Sequence, residues 1–360
     1  MKRWLFVGGS IAVLTASFFV ARQQIHSLKS TSSVAQSTTS TEAEVAPTST
    51  SQTEVQPTPA PSVSFMIGGD MMFGRMIAHT FGHTTLTKAV ESLGDQLFQG
   101  HDARIVNLEG PVSETDVPDN IRTDNMTFNF PPSAIDALTY LHVNVASQAN
   151  NHTGNAGAAG LKTTRKLLVN ANIQPVSGPA ADDVSRVAIV HGNTLSLVII
   201  GVETLSGTPD ITPLIAQYHA DPNNRVLIFP HWGNEYATTH GASQTVSAHT
   251  WIDAGADIVI GSHPHVVQDS ELYQGKPIFY SLGNLLFDQT FSAETQQGMI
   301  ISGTFTGSTL TLVGTPVESK QLKPSVVTGD TKQDRLQRIY AAFDAEKQST
   351  PTGDTLVFQY

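Results

Sequence analysis

The sequence predicts an α/β fold, and three features of the chain lead to that prediction. Short apolar runs alternate with segments of helical spacing from residue 63 onward, a pattern typical of α/β layers. Five of the apolar runs lead directly into a polar motif. A Ser/Thr/Pro-rich stretch separates this region from an apolar segment near the N-terminus. The chain is therefore expected to hold one α/β domain behind a linker.

The N-terminal apolar segment is interpreted as a membrane anchor. It runs from Trp4 to Val20, follows Lys2 and Arg3, and precedes no clear small-residue cleavage site. At roughly 17 residues it is just long enough to cross a bilayer. A signal anchor within residues 1–29 is favoured, and a cleaved signal peptide is the alternative. The positive-inside rule then predicts a single-pass cell-membrane protein whose domain is extracytoplasmic.

The rest of the chain divides by composition. Residues 30–62 are dominated by Ser, Thr, Pro, Gln and Glu and contain no Lys, Arg or aromatic residue. Such a segment buries too little apolar surface to offset its chain entropy, so a disordered linker is predicted. Residues 63–318 are assigned to the α/β domain and residues 319–360 to a C-terminal extension with a helix.

Charge and residue usage exclude several classes of function. The chain has 31 acidic and 20 basic residues and a formal net charge of −11. An acidic protein does not attract phosphate backbones, so nucleic acid is not expected as a partner. The absence of cysteine excludes disulfides, thiolate nucleophiles and cysteine zinc sites. Thirteen histidines leave imidazole chemistry open.

The individual elements follow from apolar periodicity and turn residues. Helical spacing predicts helices at Thr87–Phe98, Pro132–Tyr140, Gly157–Ala171, Gln244–Ala254 and Asp330–Lys347. Apolar runs predict strands at Val63–Ile67, Ala103–Leu108, Val143–Ser147, Val187–Val190, Leu195–Val202, Arg225–Phe229, Asp257–Ile260 and Ile278–Ser281, with further strands inside Gly298–Val313. Because ligand sites of open α/β sheets form at the carboxyl ends of strands, polar residues at those ends should converge.

The polar motifs at five strand ends have the composition of a metal site. Their candidate side chains are Asp70, Glu109 with Asn107, Asn151 with His152, His231, and His263 with His265. Oxygen and imidazole ligands suit Zn, Mn or Fe, and a carboxylate that bridges two cations can help activate a water. Each motif alone is also compatible with a turn or a helix cap. Five such motifs together favour a metal site.

Six motifs resemble, in order and spacing, the capsule (poly-γ-glutamate) synthesis protein CapA family, over about Val63 to Glu318. They are Gly69-Asp70-Met71-Met72-Phe73-Gly74-Arg75, Asn107-Leu108-Glu109, Ala149-Asn150-Asn151-His152, His231-Trp232-Gly233-Asn234-Glu235-Tyr236, Gly261-Ser262-His263-Pro264-His265 and Tyr280-Ser281-Leu282-Gly283-Asn284. That family is similar to calcineurin-like metallophosphoesterases. The resemblance implies a four-layer α/β/β/α sandwich with two central sheets and a two-metal site.

The resemblance also implies roles for individual residues. The metal ligands would be Asp70, Glu109, Asn151, His231, His263 and His265. His152 would assist the leaving group. Met72 stands where the superfamily usually has a histidine, so one well-formed divalent site and a weaker second site are expected. The first would keep five of the ligands, and the second only Asp70, Glu109 and His265.

Other residues of these motifs receive secondary roles. Arg75 is a candidate clamp for an anionic group, with a surface salt bridge as the alternative. Glu235 is a candidate partner of a metal-bound histidine. Packing or a place in a pocket wall is expected for Trp232, Tyr236, Tyr280 and Asn284.

The functional expectation is a membrane-anchored protein of capsule or poly-γ-glutamate synthesis or export. Its metal site would catalyse hydrolysis or transfer on an anionic polymer or small anionic substrate, as in a metallophosphoesterase-like hydrolase. The alternative is a non-catalytic accessory subunit whose metal site only binds the polymer. Either role implies membrane-embedded biosynthesis or export partners.

Overall fold

The computed structural model describes residues 59–118, 122, 124, 126–176, 185–350 and 353–360. Its strands are Ser62–Met71 (β1), Ala103–Leu108 (β2), Val145–Ser147 (β3), Gln174–Val176 (β4), Val187–His191 (β5), Ser196–Glu203 (β6), Asn224–His231 (β7), Ile258–Ile260 (β8), Ser270–Tyr273 (β9), Lys276–Phe279 (β10), Asn284–Leu286 (β11), Gln297–Thr306 (β12), Thr309–Lys320 (β13), Lys323–Val326 (β14), Lys347–Thr350 (β15) and Gly353–Gln359 (β16). Its α-helices are Arg75–Phe81 (α1), Thr87–Val90 (α2), Ser133–Tyr140 (α3), Gly157–Asn170 (α4), Thr212–His219 (α5), Ala242–Asp253 (α6) and Asp330–Tyr340 (α7).

These strands form two sheets. The larger sheet has the order β15-β16-β13-β12-β1-β2-β3-β4, with β11 paired to β1 and β14 paired to β13. The smaller sheet has the order β5-β6-β7-β8-β10-β9. Strands β1 to β4 run parallel to one another, as do β6, β7, β8 and β10. The carboxyl ends of each parallel set therefore share one edge.

The period-two pattern of the strands explains how the sheets are layered. On β1, Val63, Phe65 and Ile67 lie in a core shared with Leu197 and Ile199 of β6, so the two sheets pack face to face. On the opposite face of β1, Met66 packs in a cluster that also contains residues of α1, α2 and α3. The outer face of the smaller sheet packs against residues of α5 and α6. The layers thus run helix, sheet, sheet, helix.

Most predicted elements are confirmed, with shifted ends. The strand Ala103–Leu108 has the bounds that were predicted. The helix predicted over Thr87–Phe98 is shorter: α2 is followed by a 3₁₀ turn at Glu91–Leu93, because Gly94 takes a φ of 80°, which ends a right-handed helix. Helices α1 and α5 and strands β4, β9, β11 and β14–β16 had not been predicted.

The C-terminal residues belong to the larger sheet. The helix predicted for Asp330–Lys347 ends as α7 at Tyr340, continues as a 3₁₀ turn to Phe343, and gives way to β15 and β16. Strand β16 pairs with β13, and β13 itself runs through the predicted boundary at residue 318. The helical prediction was therefore wrong for residues 344–347, because the chain re-enters the sheet there.

At the other end of the domain, β1 begins at Ser62, one residue before the predicted boundary. The amide of Ser62 donates to the carbonyl of Asn193 at 2.7 Å, and the amide of Gly307 donates to that of Pro61 at 2.9 Å. Among the residues that the structure describes, no helix is long and apolar enough to cross a bilayer. The predicted anchor lies outside the described residues.

Candidate metal centre

The predicted site residues converge where the two sheets meet. Asp70 lies near the end of β1, Glu109 directly follows β2, and Asn151 follows β3 by four positions. From the smaller sheet, His231 ends β7, and the loop after β8 carries His263 and His265. A parallel bridge joins His231 to Ser262, and the amide of His263 donates to Asp70 Oδ2 at 3.1 Å. The two sheets are thus linked at the site itself.

The first group of ligand-type atoms belongs to Asp70, Glu109 and His231, and one atom of each lies within 4.8 Å of the others. Both carboxylates are completely buried. The side-chain amide of Asn107 donates to Asp70 Oδ1 at 2.8 Å and lies 3.3 Å from Glu109 Oε2. Glu109 Oε1 has no hydrogen-bond partner among the described residues. A buried carboxylate oxygen without a donor is costly unless a cation balances it.

A second convergence joins side chains of both sheets. His231 Nε2 lies 3.0 Å from Asn151 Oδ1 and 3.1 Å from His263 Nδ1. Ligand atoms around one ion of this size lie roughly 3–4 Å apart, because each bond is about 2.0–2.2 Å long. His231 Nε2 is therefore spaced from each of the other two atoms as ligands of a common cation would be.

His265 lies between the two buried carboxylates. Its Nδ1 is 3.4 Å from Asp70 Oδ2, and its Nε2 is 3.4 Å from Glu109 Oε1. The same Nδ1 lies 3.0 Å from Asn284 Oδ1, so Asn284 orients the ring. The sequence predicts only packing or a place in the pocket wall for Asn284. The pairing of β11 with β1 brings this residue to the site. The sequence gives no local signal for that pairing.

The electrostatics of the site divide its histidines into two kinds. Burial, with the neighbouring histidines, lowers the pKa of His231 well below its ordinary value and that of His263 to about 4. Burial alone would also lower the pKa of His265, but Glu109, Asp70 and Asn284 raise it to about 9. Burial raises the pKa of Glu109 well above the usual range, although His265 opposes this effect.

This donor set fits a divalent cation. Two neutral imidazoles, one amide oxygen and two buried carboxylates lie around His231, and Glu109 Oε1 has no hydrogen-bond partner in the described part of the chain. The same two carboxylates raise the pKa of His265, because they favour a positive charge between them. A bound cation would be favoured there for the same reason. Oxygen and imidazole ligands match Zn, Mn or Fe.

His152 lies beside these groups without a hydrogen bond to them among the described residues. Its ring is stacked on Phe128 at a centroid distance of 3.9 Å, and its Nδ1 is 3.1 Å from Asn155 Oδ1. That oxygen also accepts the amide of Phe128 at 2.7 Å, so it acts as an acceptor and the histidine proton sits on Nδ1. Burial lowers the pKa of His152.

Arg75 is buried and paired with Asp288, an ion pair that also includes an Nε–Oδ2 contact of 3.1 Å. Its guanidinium lies over Phe128 at 4.8 Å from the ring centroid. The alternative role for Arg75, a surface salt bridge, is wrong about the surface, because both side chains of this ion pair are almost inaccessible. Arg75 lines two cavities of about 210 and 170 Å³. The second also contains Tyr236, so it opens close to the metal-type residues.

The remaining motif residues separate into core and rim. Trp232 and Tyr280 are buried in the helix-side core of the smaller sheet, and the Trp232 Nε1 donates to the carbonyl of Tyr280 at 2.8 Å. Tyr236 is partly exposed and packs edge-on against Phe291. Glu235 is exposed, yet a carboxylate oxygen lies within 4.8 Å of ring nitrogens of His263 and His265.

Comparisons with known proteins identify the family. The family described as "Bacterial capsule synthesis protein PGA_cap" matches residues 64–289. The chain belongs to this family. It is 27% identical over 299 residues to the "PGA biosynthesis protein CapA" of Bacillus subtilis, covering 75% of this chain and 74% of that protein. It is 30% identical over 217 residues to a "probable polyglutamine synthesis accessory protein" of Mycobacterium tuberculosis, covering 52% of this chain and 56% of that protein.

Among solved structures, the PGA_cap chain is similar to one described as a novel phosphatase from Mycoplasma pneumoniae. The TM-score is 0.39 and the identity 13%, with 76% of this chain and 97% of that chain covered. Similarity at this level identifies no function.

Proposed function

We propose that this PGA_cap protein acts in capsule or poly-γ-glutamate synthesis or export, through a divalent metal centre that promotes hydrolysis or transfer on an anionic substrate. Family membership over residues 64–289 supports the pathway. The observation that supports the chemistry is the convergence of Asp70, Glu109, Asn151, His231 and His263 at the seam of the two sheets. Except for the exposed Asn151, these side chains are buried, which restricts water around the ions and so strengthens electrostatic interactions with the substrate.

The side chains of this chain would prepare the reaction in defined ways. When bound, divalent ions would supply an activated water and positive charge for an anionic oxygen. Asn107 holds the carboxylates of Asp70 and Glu109 in place. Because the His152 proton sits on Nδ1, its Nε2 is an acceptor in the neutral ring. His152 would therefore take up a proton at Nε2 before it could donate one to a leaving group.

Arg75 would act at the substrate side of the centre. Its guanidinium is fixed by Asp288 and by the ring of Phe128, and it lines the cavity that Tyr236 also borders. A fixed cation there would favour an anionic polymer or a small anionic substrate. The ion pair with Asp288 partly neutralises that charge, so Arg75 is a weaker candidate for a clamp than an isolated arginine would be.

A non-catalytic accessory role is the second candidate. In this alternative the metal centre binds polymer carboxylates without turnover. The observation that favours it is Met72, which stands at a position where the resemblance expects a metal-binding histidine, and which is buried in the core. The name of the mycobacterial relative also contains the word "accessory".

The two candidates differ in turnover. The full chain, freed of metal and reloaded with Mn²⁺, Zn²⁺ or Fe²⁺, is expected to hydrolyse a generic phosphoester or a γ-glutamyl amide. His152→Ala should lower kcat by about 10²–10⁴-fold if it exchanges protons in the reaction, with metal affinity retained. Tight metal binding without turnover on either substrate would favour the accessory role. A chain that binds none of these metals would contradict both.

We further propose that the Trp4–Val20 segment holds the domain at the outer face of the cell membrane. The support is the length and apolar character of that segment and the preceding Lys2 and Arg3. Cell fractionation should recover the chain with membranes, and external protease should digest its domain in intact protoplasts. Recovery of the chain in the medium, with a new N-terminus near Gln23, would show cleavage instead.

A further inference from the structure

The second cation position of the proposed centre lacks the histidine ligand that the resemblance expects at residue 72. The structure shows why Met72 does not act as a ligand in its place. The Met72 side chain is completely buried and packs in the cluster between the larger sheet and its helices. Its sulfur accepts the amide of Gly74 at 3.0 Å. The thioether therefore takes part in the local turn, and another side chain would have to complete the second site.

Glu235 occupies a suitable position. One of its carboxylate oxygens and one ring nitrogen each of His263 and His265 lie within 4.8 Å of one another. Ligand atoms of a bound ion lie roughly 3–4 Å apart, because each bond is about 2.0–2.2 Å long. The Glu235 and His265 atoms would reach this spacing through small side-chain movements, without a change in the backbone.

The backbone fixes Glu235 relative to the two histidines. The next residue, Tyr236, donates its amide to the carbonyl of Pro264 at 2.8 Å, between His263 and His265. Tyr236, His263 and His265 all have positive φ angles of 64°, 97° and 58°. Such conformations are unfavourable for residues other than glycine, and they cluster where the surrounding structure aims side chains at a functional site. An exposed acid on an unrelated loop would lack these constraints.

Charge balance points the same way. Two divalent ions would carry four positive charges, against two negative charges from the buried Asp70 and Glu109. A third carboxylate would leave one net positive charge, which suits an anionic substrate. Because Glu235 is exposed whereas His263 and His265 are buried, the ion that it holds would lie at the mouth of the centre, where ligands exchange with solvent.

We propose that Glu235 is a direct ligand of the second metal ion, together with His265, and that it takes the place of the histidine missing at Met72. This inference rests on the proposed metal centre. It differs from the ligand set expected from the resemblance, in which the second ion keeps only Asp70, Glu109 and His265. It also makes Glu235 a ligand rather than a partner of a ligand.

Metal binding by the full chain tests the assignment directly. The purified protein is stripped with chelator and titrated with Mn²⁺ by equilibrium dialysis, with Mn²⁺ paramagnetic resonance as a second readout. The wild-type chain should bind two Mn²⁺ ions, and their signals should be coupled because paired ions lie about 3.5–4 Å apart. Glu235→Gln should bind one ion with unchanged affinity and lose the weaker one by more than about 100-fold, beyond the loss usual for an outer-shell partner, leaving an uncoupled signal.

A matched control removes the effect of charge alone. Asp221→Asn deletes an exposed negative charge before β7, at the end of the strand opposite Glu235, and should still bind two coupled ions. Two ions in Glu235→Gln with wild-type affinities would overturn the assignment and leave the metal centre standing. A single ion in the wild-type chain would do the same. A wild-type chain that binds none would overturn the proposed function as well.

Discussion

The side-chain amide of Asn107 contacts both buried carboxylates of the centre, whose burial is costly without hydrogen-bond donors. Its Nδ2 faces Asp70 Oδ1, Glu109 Oε2 and His231 Nδ1 at 2.8, 3.3 and 3.3 Å. Its own Oδ1 accepts the side-chain amide of Asn150 at 2.9 Å. A residue with both a donor and an acceptor is required at this point, because its neighbours offer mostly oxygen lone pairs on one side and a donor on the other.

Asn107→Ala should therefore destabilise the metal-free protein. The substitution leaves buried acceptors without a donor, which costs about 1–3 kcal/mol in the free energy of unfolding. Urea unfolding in the presence of chelator measures the loss. Asn223→Ala, at an exposed position, should stay within about 0.5 kcal/mol of the wild-type value. Equal effects of the two substitutions would show that the Asn107 amide contributes nothing.

The sequence predicts which residues could bind a metal, but not the residues that orient them. Asp70, His231 and His263 each end or follow an apolar strand, so their convergence could be predicted from strand ends alone. Asn284 supports His265 from β11, more than 200 positions from its neighbour Asp70 in the chain. A short strand of three residues gives little periodicity, so neither β11 nor this role could be predicted.

Among the elements, the close contact between β1 and the segment that connects β10 to β11 sets the position of Asp70. The amide of Asp70 donates to the carbonyl of Gly283 at 3.0 Å. A Cβ atom on the preceding Gly69 would lie 1.9 Å from that same carbonyl oxygen, far inside van der Waals contact. Glycine is required at residue 69 because two backbones approach closely there.

Gly69→Ala should displace Asp70 and weaken metal binding together with the fold. Backbone would have to move, so a loss of several kcal/mol in unfolding free energy is expected, at the upper end for single substitutions. Gly241→Ala is the control, because Gly241 has a φ of −103° and its Cβ would meet its nearest atom at 3.9 Å. Thermal melts with and without Mn²⁺ compare the two. A wild-type melt for Gly69→Ala would contradict the close approach.

The last strand, β16, supplies part of the core between the sheets. Leu356 and Phe358 are buried in that core, whereas Val357, on the opposite face of the strand, is only half-buried. The helical prediction across residues 344–347 missed this return to the sheet, because the alternation on β16 is too short to outweigh the preceding helical pattern.

Phe358→Ala should cost about 3–5 kcal/mol, the usual loss for truncating a buried phenylalanine. Val357→Ala, one residue earlier, removes less buried surface and should cost clearly less. Chemical denaturation of both variants gives the comparison. If Val357→Ala were the more damaging, the face assigned to the core on β16 would be the opposite one.

At the scale of the whole molecule, the centre joins two sheets that also share an apolar core. Asp70, Glu109 and Asn151 come from the larger sheet, and His231, His263 and His265 from the smaller. Layer order and the edge that carries the site followed from strand and helix alternation and from the family resemblance. The sequence did not predict that β12 pairs with β1, β13 with β12 and β16 with β13. Antiparallel pairing between distant segments leaves no local pattern.

Because its ligands lie on both sheets, a bound metal should stabilise the domain across the seam. Binding to the folded state alone contributes about 2.7 kcal/mol at a free metal concentration 100 times the Kd. Adding Mn²⁺ to the metal-free chain should therefore raise its Tm and slow amide exchange at the ends of both β1 and β7. His231→Ala should remove both effects, since its ring contacts Asn151 from the other sheet. Protection confined to one sheet would mean that the ion does not bridge the seam.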